Sequence, residues 1–183
     1  MGAFDIGLPD EQGEQGEPDE PADREPTDEA RFREVLGHFA SGVTVITTAT
    51  PEGPRGFTCQ AFAALSLTPA LVAFAPSRSS ATWAHISAAN TFCVNVLNAD
   101  QERLARVFAT TGADRFAGVG WTAGVTGTPI LADVLAWAEC RLLHTHPAGD
   151  HLLVVGEAIE LGTGARHAGP LVFYRGGFGR FEA

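Results

Sequence analysis

The hydrophobic positions change period along the chain. Phe32, Val35, Leu36 and Phe39 recur at three- and four-residue spacing, which predicts a helix over about 28–40, with Pro26-Thr27-Asp28-Glu29 offering a capping hydroxyl and first-turn carboxylates. Gly42 is placed to stop it, and the β-branched run Val43-Thr44-Val45-Ile46-Thr47-Thr48 reads as a strand. A turn follows at Thr50-Pro51-Glu52-Gly53-Pro54. Further strands are predicted over 56–63, 70–75, 91–97, 134–146, 151–160 and 171–175, separated by turns containing Pro or Gly. Two segments break this rhythm. Residues 80–89, carrying Trp83 and Ile86, and residues 99–109, carrying Leu104, Val107 and Phe108 behind an Asn98-x-x-Gln101 cap, read as short helices. The pattern is mainly β with a few helices. Uneven links between short strands argue for an antiparallel barrel or sandwich, because parallel units would need a helix of about ten residues between most strands.

Charge divides the chain. The first 29 residues hold eleven acidic side chains and only Arg24 as a base, whereas 30–183 balance eleven acids with eleven arginines. The segment 1–29 is therefore expected to be a disordered acidic tail, since it has too little apolar surface to offset chain entropy. The remaining 154 residues suit a single domain with a full core. Having no basic excess, that domain lacks the electrostatic footprint of nucleic-acid binding. No apolar run approaches the roughly 18 residues that cross a bilayer, and no leader of basic then apolar residues opens the chain. Cys59, Cys93 and Cys140 are odd in number and lie in apolar runs, as expected of buried thiols in a reducing compartment, so a cytoplasmic location is expected. All twelve basic residues are arginine, which excludes Schiff-base catalysis and a phosphate loop built on lysine.

Four segments could carry chemistry. Gly56-Phe57-Thr58-Cys59-Gln60-Ala61-Phe62 mixes a hydroxyl and an amide with apolar neighbours, as the edge of a planar heterocycle would need or as any half-buried strand would show. Pro76-Ser77-Arg78-Ser79-Ser80-Ala81-Thr82-Trp83 sets hydroxyls and an arginine at a helix start, which suits a phosphate monoester or a simple N-cap. His144, His146 and His151 bracket a hairpin turn, but without a carboxylate or further histidine at ligand spacing a metal is not expected. The last strand runs into glycines interleaved with Tyr174, Arg175 and Phe178, which could line a flat ring or close the core. Gly118-Val119-Gly120-Trp121-Thr122-Ala123 matches a dinucleotide fingerprint only literally, having no strand before it and no helix after.

Taken in order, the segments Phe32 to Thr47, Gly56 to Pro69, Ser77 to Thr82, Phe92 to Leu97, Asp114 to Val119, Gly149 to Gly156 and Phe173 to Gly176 resemble the flavin reductase family, over essentially all of 30–183. These are the small reductase components of two-component monooxygenases. The resemblance implies an antiparallel FMN-binding split β-barrel, a homodimer with FMN or FAD near the subunit interface, NADH or NADPH as hydride donor, and a monooxygenase partner that receives reduced flavin. It further implies that Thr58, Cys59, Gln60 and Ala61 lie along the isoalloxazine edge and that Ser77, Arg78, Ser79, Ser80 and Thr82 hold the flavin phosphate. Gly149-Asp150-His151 looks like the motif beside the nicotinamide, with His151 positioning that ring or its ribose and Asp150 fixing the turn. Asn95, Phe116, Tyr174 and Arg175 sit in segments that resemble flavin-lining parts. The chain departs from the family where Thr-Ala-Asn-Ser is often found in place of Thr58-Cys59-Gln60-Ala61, and where Arg often replaces Ala81. Either Arg78 compensates for these losses or the flavin is loosely held and exchanges as a substrate. The Cys-Gln form resembles a branch serving hydroxylases of phenolic and steroid-derived rings. A directly acting flavoprotein with fixed FMN and a non-catalytic flavin binder are the alternatives.

Overall fold

In a computed structural model, which describes residues 28–112, 114–164 and 168–181, helix α1 (Glu29–Leu36) begins at Asp28, whose carboxylate accepts the Ala30 N–H at 3.1 Å. Of the predicted tail only Asp28 and Glu29 are described, and Thr27 lies outside the described residues. The helix is shorter than its periodicity predicts. It closes at Gly37, because the Gly37 carbonyl accepts from Arg175 N–H and the chain turns into β1 (Ser41–Gly42), which pairs with β11 (Leu171–Tyr174).

The remaining elements are β2 (Thr44–Thr50), β3 (Gly53–Cys59), β4 (Phe62–Leu67), β5 (Ala70–Phe74), α2 (Ala81–Ala89), β6 (Thr91–Val96), α3 (Glu102–Ala109), β7 (Trp121–Ala123), β8 (Pro129–Leu131), β9 (Ala136–Ala148), β10 (His151–Thr163) and β12 (Gly177–Arg180). The strand predicted over 56–63 is two strands, broken at Gln60-Ala61. Strands β1, β7, β8 and β12 are too short for a two-residue period to show. The literal dinucleotide match falls on a turn and β7, with no helix following.

Seven strands form one antiparallel sheet in the order β3-β2-β6-β9-β10-β5-β4. Its two edge strands, β3 and β4, are consecutive in sequence, so the sheet must curl until its edges meet at Gln60-Ala61. No ladder joins them there. The result is a barrel with a seam, the split barrel that the resemblance implies. A three-stranded sheet, β1-β11-β12, and the hairpin β7-β8 complete the β structure.

Strand β2 reads as a continuous run because both its faces are covered. Ile46 enters a core with Phe74, Ile86, Phe92 and Val154, while Val45, with Val43 just before the strand, enters a second with Leu97, Ala105, Phe108 and Leu171. Each large apolar side chain so buried contributes about 1.5–3 kcal/mol. Phe92 lies directly over Gly156, where a Cβ would collide with the ring. The three cysteines are buried thiols, and burial pushes Cys59 up to about 11 and Cys140 up to about 12. Among the described residues, no helix is long and apolar enough to cross a membrane.

Candidate functional site

The seam of the barrel opens into a groove of about 930 Å³, within the usual range for ligand pockets. One wall is the bend itself, with Thr58, Cys59, Gln60 and Ala61. Cys59 points inward, its Sγ 3.5 Å from the Ala61 carbonyl, and the Thr58 hydroxyl donates to the Ala105 carbonyl at 2.6 Å, which ties the bend to α3. Phe57 and Phe108 add ring surface, and the rim is closed by Phe32 and Leu36 of α1 with Phe39 just beyond it.

The opposite wall is the hydroxyl loop. The Ser77 and Ser79 hydroxyls are 2.9 Å apart, and Ser80 caps α2 by accepting the Trp83 N–H at 3.3 Å. N-capping is thus real at Ser80, while the other first-turn N–H groups have no partner within the helix and favour an anion. Thr82 is buried behind them, its hydroxyl accepting from Arg115 Nη1 at 3.1 Å.

The β9–β10 turn closes the end of the groove. Gly149 adopts φ +63°, a left-handed conformation that glycine takes without strain. The turn is fastened to the hydroxyl loop at three places. Arg78 N–H donates to the Asp150 carbonyl at 3.0 Å, Leu152 N–H donates to Pro76, and Ser77 bridges to His151. His151 lines the groove, with Nδ1 2.8 Å from an Asp150 carboxylate oxygen. That hydrogen bond holds the exposed Asp150 carboxyl below the usual range and orients the imidazole.

Other predicted residues lie elsewhere. Arg78 stands outside the lining, its Nη1 3.4 Å from the Gly149 carbonyl, so it braces the turn. Asp150 also projects away into solvent. Asn95 is fully buried: its Nδ2 donates to Val45 and Thr47, and its Oδ1 accepts from Leu131 N–H at 2.8 Å. It fastens β8 to the barrel and does not reach the groove. Tyr174 and Arg175 form the β11–β12 turn against α1, with the Tyr174 ring edge-on to His38. Phe116 packs on Phe108 and lines an adjoining cavity. His144 and His146 have rings 6.1 Å apart on one face of β9, while His151 pairs with Asp150.

The groove's own cation, Arg115, is not among the predicted residues. Its guanidinium is fixed by the Gly56 carbonyl at 2.6 Å, Thr82 and the Thr110 carbonyl, and it has no carboxylate partner among the described residues. It lies in the quoted segment Asp114 to Val119, but in a turn without periodicity, so its only signal was charge.

Residues 36–182 match the flavin reductase like domain. The reductase subunit HsaB of a flavin-dependent monooxygenase from Rhodococcus jostii is 45% identical over 158 residues, 86% of this chain and 80% of that protein. Nitrilotriacetate monooxygenase component B from Mycobacterium thermoresistibile is 42% identical with a TM-score of 0.81, covering 84% of this chain and 86% of its own. The NADH:FAD oxidoreductase SgcE6 of Streptomyces globisporus, solved with NAD and FAD fragments, is 35% identical with a TM-score of 0.81 over 86% of this chain and 95% of its own.

Proposed function

Because the chain belongs to the flavin reductase like domain family, we propose that it is an NAD(P)H-dependent flavin reductase that takes FMN or FAD in the seam groove and supplies reduced flavin to a separate monooxygenase. The observation that carries this reading is the fastening of the His151 turn to the Ser77–Ser80 loop, which brings an anion-favouring wall and an imidazole to one groove. The residues fit a flavin. Thr58 to Ala61 offer a mixed polar and apolar edge, and Ser77, Ser79, Ser80 and the first turn of α2 offer hydroxyl and N–H donors to a phosphate.

A flavin held there by Thr58 to Ala61 and the Ser77–Ser80 loop would supply the redox chemistry, as the acceptor of a hydride from a nicotinamide. The protein's part is alignment. His151 orients the nicotinamide or its ribose, the Asp150 carboxylate holds the imidazole, and Phe57 and Phe108 exclude water. Among the described residues the cysteines are buried and high in pKa, so the chain offers no thiolate nucleophile at neutral pH.

We propose a homodimer on the basis of apolar surface. Phe32, Val35 and Leu36 on α1 and Phe39 just after it are more than half exposed, and Leu65 and Leu67 on β4 and Leu153 and Leu161 on β10 are exposed as well. Monomers rarely leave such surface open. Sedimentation equilibrium at twice the chain mass supports it; a monomer at micromolar concentration rejects it.

Mixing the purified protein with NADH and excess FMN or FAD tests the enzyme reading. Catalytic loss of the nicotinamide absorbance is expected. Bound flavin without turnover would leave a binder, and absence of flavin affinity would reject the assignment.

A further inference from the structure

Of the three histidines around the β9–β10 turn, the flavin reading uses only His151. His144 and His146 stand two positions apart on β9, so they share one face of the strand. Thr145 between them pairs with Val154, which lies in the core, so both imidazoles face away from that core and are exposed. Their cross-strand neighbours, Val155 and Leu153, are apolar and bring neither charge nor hydrogen bond. Among the described histidines only His151 has a hydrogen-bonding carboxylate partner, Asp150. The ring nitrogens of the other two remain open to a ligand.

We infer that His144 and His146 form a chelating surface site for one divalent ion of the late first transition row, Cu²⁺ or Zn²⁺. Two nitrogens on one such ion stand about 3–4 Å apart, because each lies ~2.0–2.1 Å from it. The ring centres lie behind the nitrogens, so the observed 6.1 Å between centres, with the planes tilted by 36°, suits two rings turned toward a shared ion. Both side chains are exposed, and a staggered rotation of either meets no packed neighbour. Imidazole is a ligand for copper and zinc, whereas Mg²⁺ and Ca²⁺ require oxygen donors that this face of the strand does not supply. Among the described residues no third histidine, cysteine or carboxylate completes a set of three, so water fills the remaining positions and the ion exchanges readily. The site stands outside the groove lining and does not depend on the flavin reading.

Calorimetric titration of the untagged full-length protein with the chlorides of Cu²⁺ and Zn²⁺ tests this. Wild type should bind one Cu²⁺ per chain with a dissociation constant on the order of 10 μM or lower, and Zn²⁺ more weakly. His144→Gln and His146→Gln should each weaken Cu²⁺ binding at least about tenfold, because the second imidazole of a pair meets the ion at the high effective concentration set by the first. Both positions are exposed, and an unchanged Tm without metal checks that the variants keep the fold. Losses of about twofold or less in each variant would show two independent imidazoles and overturn the chelate. Wild-type Cu²⁺ binding no tighter than about 1 mM would overturn it as well. So would an ion that binds equally as Ca²⁺ and ignores both substitutions, which would assign the binding to the acidic side chains of residues 1–29.

Discussion

Ser77 and His151 face each other across an isolated antiparallel bridge, although 74 positions separate them in the chain. The loop that offers hydroxyls to an anion and the turn that presents an imidazole thus move as one piece. His151→Ala should lower kcat/KM for NADH by about 10- to 100-fold, or ~1.4–2.7 kcal/mol, while the dissociation constant for flavin stays within about twofold. Steady-state kinetics beside a flavin titration separates the two effects. Unchanged NADH kinetics would remove the positioning role. Asp150→Asn, which keeps the imidazole and replaces its carboxylate anchor by a neutral amide, should cost less.

Arg115 predicts a phosphate-specific effect. Arg115→Gln should weaken FMN binding by about 10- to 100-fold, since a hydrogen bond to a charged group contributes ~1.5–3 kcal/mol, and should leave riboflavin binding nearly unchanged. Equal losses for FMN and riboflavin would show that Arg115 only shapes the wall.

Glu139 predicts a pH dependence of stability. Its carboxylate is wholly buried, and accepts the N–H groups of Val125 and Thr126 at 2.8 and 2.9 Å and the hydroxyls of Thr126 and Thr128. Burial alone would raise its pKa, but these donors together outweigh it and hold the carboxyl below the usual range. A carboxyl depressed in the folded state contributes stability that is present above its unfolded value, about 4.3, and is lost as pH falls through the folded value. Glu139→Gln should cost about 3 kcal/mol at pH 7 and flatten the acid limb of a stability-against-pH curve below about pH 4.3. Urea melts across that range would reveal it, and an acid limb as steep as that of wild type would contradict it.

Asn95 predicts a loss of stability without a loss of flavin affinity. Asn95→Leu strips partners from Leu131 N–H and the Val45 carbonyl inside the core, which should cost about 3 kcal/mol, or roughly 6–12 °C in Tm. The folded fraction should bind flavin as wild type does. A weakened dissociation constant at full Tm would return Asn95 to the groove.

The strand-rich class and the two polar walls were legible because each depends on local chemistry: β-branched runs, turn residues, and hydroxyls clustered before Trp83. What periodicity could not reach was contact between distant segments. The polar side chain of Asn95 looks the same in a sequence whether it faces a ligand or the Leu131 amide. Arg78 reads as the phosphate cation by its place in a hydroxyl cluster, yet the fold turns it to the Gly149 carbonyl and brings Arg115 to the groove from another turn. Periodicity carries helix α1 on to Phe39, but Arg175, far along the chain, donates to the Gly37 carbonyl and ends it earlier.

The seam at Gln60-Ala61 bears on how such a groove changes over time. Strand β3 is held by β2 and strand β4 by β5, so the two residues between them are rungs of no ladder. Adding or deleting a residue there would alter the spacing of the walls without shifting any strand register, whereas the same change within β9 or β10 would move every side chain beyond it to the opposite face. Length variation at the seam is therefore an inexpensive route by which one scaffold can come to admit ligands of different width.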